Sequence, residues 1–177
     1  NQEKQAVWLK EHLIELGPTF IKIGQSMGTR ADLLPLPFVK ALGELQDSVP
    51  PFPNEIAFAR IEKELEKKIS DVYAEFDIEP VAAASLGQVY RAKLFTGEEV
   101  AVKVQRPNLE ATIKGDIGIL RKVASFAERF PALNENADWA GMLREFDETI
   151  HEEMDYAAEG RNAERFSESF KDWTNIH

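Results

Sequence analysis

The chain has no cysteine. Disulfides, thiolate zinc sites and cysteine nucleophiles are therefore excluded. Histidine is almost as scarce: His12, His151 and His177 lie far apart and follow no metal-ligand spacing. They read as surface residues, and no metal site is expected from them. No apolar run approaches the roughly 18 residues that a spanning helix requires, and no cationic, apolar leader opens the chain. The expectation is a soluble segment of a cytoplasm or an organelle interior; the missing cysteines suit a reducing compartment. Clustered basic residues are missing too. The 21 Lys and Arg are scattered among 31 Asp and Glu, for a net charge of −10. A duplex-binding surface concentrates its cations, so nucleic acid is not an expected partner.

What is present suits a folded body. At 177 residues, 44% hydrophobic with 11 Phe, the chain can build the core of one domain or of one lobe of a larger fold. Its organising stretch is residues 80–107. Phe76–Ile78 is expected as a first strand, followed by a small-residue loop and a strand over Gln88–Leu94. A turn at Phe95–Glu98 and a strand over Glu99–Gln105 complete it, with Gly97 free to take a positive φ. Alternation along the last strand places Ala101 and Lys103 on one face and Val100, Val102 and Val104 on the other. The loop fits the frame of a kinase phosphate loop, G-x-G-x-x-G-x-V. Ala82, Ala84, Gly87 and Val89 occupy the fixed positions, with alanine replacing the first two glycines. Val100-Ala101-Val102-Lys103 then supplies the strand lysine that meets nucleotide phosphates in kinases. Either half alone is a weak signal. Together, on one hairpin, they point to a nucleotide.

The flanks are helical. Residues 2–16 form an amphipathic helix stopped by Gly17-Pro18. Thr19 is expected to cap a second helix that carries Lys22, Gly24, Gln25 and Gly28. A glycine inside a helix costs about 1 kcal/mol relative to alanine, so Gly24 and Gly28 mark close packing or helix ends. Pro37 suits the start of a third helix, and Pro50-Pro51-Phe52-Pro53 is a stiff connector. Asn54 is expected to cap a fourth helix with Phe58, Ile61, Leu65 and Ile69 on its apolar side. Asn108 would cap a helix bearing Leu109, Ile113 and Ile117, closed by Phe130-Pro131. Residues 138–170 read as one long helix, with Met142, Phe146, Ile150 and Met154 recurring every four residues. Glu153, Asp155 and Glu159 lie near its middle, the last two sharing a face. The plain reading of those acids, and of Lys22 and Gln25, is a solvated face.

Three motifs in order give the chain a resemblance to the UbiB-type, or aarF-domain, atypical kinases over Leu16 to Phe166. They are Lys22-x-Gly24-Gln25, the run Ala82-Ala83-Ala84-Ser85 with Gly87-Gln88-Val89 and the Lys103 strand, and Glu153-x-Asp155 followed by Tyr156 and Glu159. The resemblance implies an α+β fold: a kinase-like small lobe, with a short antiparallel sheet and a helix, behind a family-specific helical extension. The extension would span residues 1–75 and the small lobe 76–177, with the large lobe, catalytic loop and Mg ligands expected beyond His177. It further implies ATP or ADP with Mg as cofactor, held by Ala82, Ala83, Ala84, Ser85, Gly87, Val89, Ala101 and Lys103. Glu159 would fix the lysine. Lys22, Gly24 and Gln25 belong to the extension that covers the pocket, and Glu153 and Asp155 face that extension.

On the same resemblance, the parent protein would be an atypical kinase or ATPase supporting isoprenoid quinone biosynthesis or lipid homeostasis. Its partners would be a lipid or quinone precursor and a membrane surface or biosynthetic complex. The fragment alone would be inactive. The alternative is a non-catalytic, nucleotide-dependent regulator or scaffold. The alanines bear on both readings, because each adds a Cβ where glycine would allow free backbone approach. They are expected to detune phosphoryl transfer without abolishing nucleotide binding.

Overall fold

Helix formation at the amino terminus follows from apolar stripes closed by glycine and proline. Helix α1 (Gln2–Leu16) starts with the Asn1 side chain accepting from the Glu3 N–H. It ends at Gly17, whose φ of 102° is the left-handed conformation that glycine tolerates. Pro18 opens α2 (Pro18–Gly28), and α3 (Leu36–Gly43) also begins on a proline-containing turn, followed by a short 3-10 turn at Glu44–Gln46. Ile21, Leu42, Leu45 and Val49 form their shared core, with Leu9, Leu13, Ile14 and Met27 packed around it. The computed structural model describes residues 1–32, 34–46, 49–127, 129, 138–171 and 173. The expected Phe130-Pro131 stop and His177 fall outside these residues.

Beyond the proline connector lie α4 (Asn54–Leu65) and the short α5 (Ile69–Val72). The sheet comprises β1 (Tyr73–Phe76), β2 (Ala82–Ala83), β3 (Gly87–Leu94) and β4 (Glu99–Gln105). All pairings are antiparallel, and β3 is central, bonded to each of the others along its length. The first strand therefore lies earlier than Phe76–Ile78, and part of the small-residue loop is itself a strand. Gly97, with φ 94°, closes the β3–β4 turn. One sheet face packs on α4: Phe52, Ala57, Ile61, Tyr90 and Val104 are buried together. Tyr90 is fully buried, with the rings of Phe58 and Phe76 at 5.5 and 5.4 Å. Aromatic pairs at such separations add about 0.5–1.5 kcal/mol beyond area burial.

Two expected caps serve elsewhere. The Thr19 hydroxyl donates to Asp116 Oδ2 at 2.5 Å, tying α2 to α6 (Leu109–Ala127). Asn54 Oδ1 accepts from the Tyr90 hydroxyl at 2.7 Å. α2 starts two residues sooner than a Thr19 cap would give, and α4 one residue sooner than an Asn54 cap would give, so these side chains are free for tertiary bonds. Leu109, Ile113 and Ile117 are the buried stripe of α6.

The chain forms two compact units, Asn1–Leu120 and Arg121–His177. In the second, the long helix expected over 138–170 is two: α7 (Trp139–Met154) and α8 (Tyr156–Phe170). Asp155 breaks it. Its carboxylate accepts the Ala158 N–H at 2.8 Å, and its backbone leaves the helical region at φ −81°, ψ 75°. This is the usual competition of a short polar side chain with the helical backbone. Ile150, on α7, is fully buried.

Candidate functional site

Register decides which side chains meet on the sheet. Ala82 pairs with Val89, and Val89 pairs with Lys103. Directly opposed residues in antiparallel strands point to the same face, so Ala82, Val89 and Lys103 form one row across three strands. Ala101 lies on that face two residues from Lys103, and Ala82, Ala101 and Lys103 are exposed. This is the face opposite the Tyr90 core. It offers a smooth apolar strip beside a cation, which suits a purine ring followed by phosphates.

The tip of the β2–β3 hairpin is built from Ala84 to Gly87. The Ala84 N–H donates to the Gly87 carbonyl at 2.7 Å. Ser85 and Gly87 are buried and Ala84 is exposed. The Ser85 hydroxyl donates to Gln25 Oε1 at 3.3 Å. Gln25 also donates through Nε2 to the Leu45 carbonyl at 3.0 Å. The structure thus joins two of the sequence motifs, the helical K-x-G-Q and the alanine-rich loop, through one side chain.

Gly24 explains how Gln25 gets there. A Cβ at Gly24 would run into Leu45 Cδ1 and come within 2.9 Å of Leu13 Cδ1. The helix lies so close to its neighbours that any side chain here would push leucine side-chain tips aside. Gly28 closes α2 and approaches the α3 backbone, where a Cβ would lie 3.0 Å from the Gly43 nitrogen. Lys22 is half-buried on the same helix.

Glu153, Asp155 and Glu159 belong to the second unit. Glu153 sits in the last turn of α7, Glu159 in the first turn of α8, and Asp155 between the helices as the cap. Asp155 thus precedes α8 instead of sharing its face with Glu159, and its carboxylate lies 3.8 Å from the Arg161 guanidinium. Among the described residues, no group of three or more His, Asp or Glu side chains could hold a metal.

Two residues around the loop carry more than their sequence context suggested. Gln88, fully buried, accepts the Phe52 N–H at 3.0 Å and donates to the Phe52 carbonyl at 3.2 Å and to the Tyr90 hydroxyl. Burial pushes the Tyr90 phenol above its ordinary pKa, so it stays a neutral donor to Asn54. Arg106 reaches from the end of β4 to the Ala84 and Pro50 carbonyls. The sequence signal for both was position alone: polar residues immediately beside Gly87 and the lysine strand.

A sequence model of the ABC1 atypical kinase-like domain matches residues 44–177. An uncharacterised protein of Synechocystis sp. is 50% identical over 169 residues, covering 96% of this chain and 30% of that protein. The Arabidopsis thaliana protein named activity of BC1 complex kinase 8, chloroplastic, is 46% identical over 169 residues, covering 94% of this chain and 22% of that protein. Among solved structures, that of Rv3197 from Mycobacterium tuberculosis in complex with erythromycin superposes with a TM-score of 0.59 at 29% identity. The superposition covers 98% of this chain and 44% of that one.

Proposed function

Because the chain belongs to the ABC1 atypical kinase-like family, we propose that its outer sheet face grips the nucleotide of an atypical kinase or ATPase. The observation that supports this is the row Ala82–Val89–Lys103, which sets a cation at the end of an apolar strip beside a small-residue hairpin tip. Val89 and Ala82 would lie against the base, and Lys103 would draw the phosphates into register. A Mg-bound nucleotide would supply the phosphoryl group and most of the local positive charge. The chain's own part is positioning, which dominates phosphoryl transfer. On the resemblance of the motifs to UbiB-type proteins, the process served is isoprenoid quinone biosynthesis or lipid homeostasis. A lipid or quinone precursor, or a membrane-associated complex, would be the partner.

One observation favours a second reading, a nucleotide-dependent regulator. The Ala84 N–H and carbonyl are both engaged within the protein, leaving the two peptides that flank Ala84 less able to follow a moving phosphoryl group. Binding would then exceed turnover.

Lys103→Ala tests the nucleotide site. In the full-length protein, Mg-ATP or Mg-ADP at about 100 times its dissociation constant should stabilise by about 2.7 kcal/mol. The rise in melting temperature with nucleotide, measured in each protein against its own ligand-free melt, should disappear in Lys103→Ala. An equal rise in both proteins, or none in the unaltered one, overturns the assignment.

A further inference from the structure

We propose that Arg106 is a positioning residue for the alanine-rich loop, anchoring the hairpin tip to the proline connector and thereby setting how tightly nucleotide phosphates are held; this rests on the nucleotide reading above. The geometry is specific. Arg106 Nε and Nη2 donate to the Ala84 carbonyl at 3.2 and 3.1 Å, and Nη2 also donates to the Pro50 carbonyl at 2.7 Å. The guanidinium carbon lies 5.5 Å from the centroid of the Phe52 ring, within cation–π range. The Arg106 N–H donates to the Leu86 carbonyl at 2.9 Å. The side chain and backbone of one residue therefore hold the carbonyls on both sides of Ser85.

The anchor is itself fixed. Gln88 grips Phe52 through both backbone groups, and prolines flank Phe52 on each side, so the connector has few soft dihedrals. Arg60 on α4 donates to the Arg106 carbonyl at 3.1 Å. Fixing the Ala84 carbonyl has a consequence for the loop's donors. In a trans peptide, C=O and N–H point in opposite directions, and the described chain has no cis peptide. Arg106 therefore dictates the direction of the Ser85 N–H at the hairpin tip. Backbone N–H groups at such tips are what cradle phosphate oxygens. Arginine is suited to the task because its planar fork can serve two acceptors at once, whereas a lysine ammonium lacks that fixed fork.

The test measures Mg-ADP affinity by calorimetry, and amide exchange at Ser85 and Val102, in the full-length protein. The variants are Arg106→Lys and Arg106→Gln, the second guarding against misfolding of the first. Arg30→Gln, which removes an exposed arginine paired with Asp32, controls for lost charge. Arg106→Lys should weaken Mg-ADP on the order of tenfold and speed exchange at Ser85, while Val102 exchange and the Arg30→Gln protein stay unchanged. If the unaltered protein binds Mg-ADP and both Arg106 variants bind it equally well, the positioning role is overturned and the nucleotide site stands. If the unaltered protein binds no nucleotide, the nucleotide reading falls and carries this role with it.

Discussion

Gln88→Leu should destabilise the protein by about 3 kcal/mol, lowering its melting temperature by roughly 6–12 °C for a chain of this size. Leucine is slightly larger than the fully buried glutamine, so no cavity is left. Hydrogen bonding changes greatly. The Phe52 N–H and C=O lose the side chain that satisfies both, and the Tyr90 hydroxyl loses one of its partners. Each orphaned buried group costs about 1–3 kcal/mol, and the apolar gain of leucine offsets part of the sum. Urea denaturation with an unchanged slope and a lowered midpoint would be the signature. A loss under about 1 kcal/mol would show that the connector holds its place without Gln88. The anchor for Arg106 would then lie elsewhere.

The parts of this fold that were legible in the sequence are those written in local periodicity. Strict alternation gives β4 its bounds, Glu99–Gln105, and puts Ala101 and Lys103 on the exposed face. Gly17-Pro18 gives the end of α1 because the left-handed φ and the missing N–H act within two residues. What was not legible depends on partners distant in the chain. Ala82–Ala83 forms a strand despite alanine's weak β preference, because β3 offers it a free edge. Thr19 and Asn54 are cap residues by type, yet Asp116 and Tyr90 claim their side chains. Periodicity runs unbroken through Asp155, and only its side-chain bond to Ala158 reveals the break. For the candidate site, sequence spacing supplied Val89 and Lys103. Their meeting with Ala82 in one row required register, which spacing does not encode. Arg106 was invisible as a clamp because its acceptors are backbone carbonyls, which leave no mark on residue type.

Gly24→Val should be as damaging as Gln88→Leu, and for a reason that joins the helical extension to the loop. A Cβ at this position already overlaps Leu45 and crowds Leu13, and the Leu42 side chain stands 3.5 Å away. Leu45 and Leu42 are buried almost completely, at 0% and 1% exposure, so they have little room to turn aside. Overpacking of this kind costs about 1–3 kcal/mol and occasionally more, and a β-branched side chain places the largest bulk nearest the contact. Gly24→Ala should cost less, because alanine regains about 1 kcal/mol of helix propensity. The graded pair separates sterics from propensity: valine should lose about 3 kcal/mol and alanine about 1. Where the leucine tips do not turn aside, α2 moves outward, which withdraws Gln25 from Ser85 and from the Leu45 carbonyl. The melting-temperature rise with Mg-ADP should therefore change in Gly24→Ala even where the protein remains folded. If Gly24→Ala melts lower but responds to nucleotide as the unaltered protein does, the glycine serves packing alone. The K-x-G-Q helix and the alanine-rich loop would then be independent. A parallel loss of stability and nucleotide response would mean that the backbone approach at Gly24 exists to deliver Gln25 to the loop.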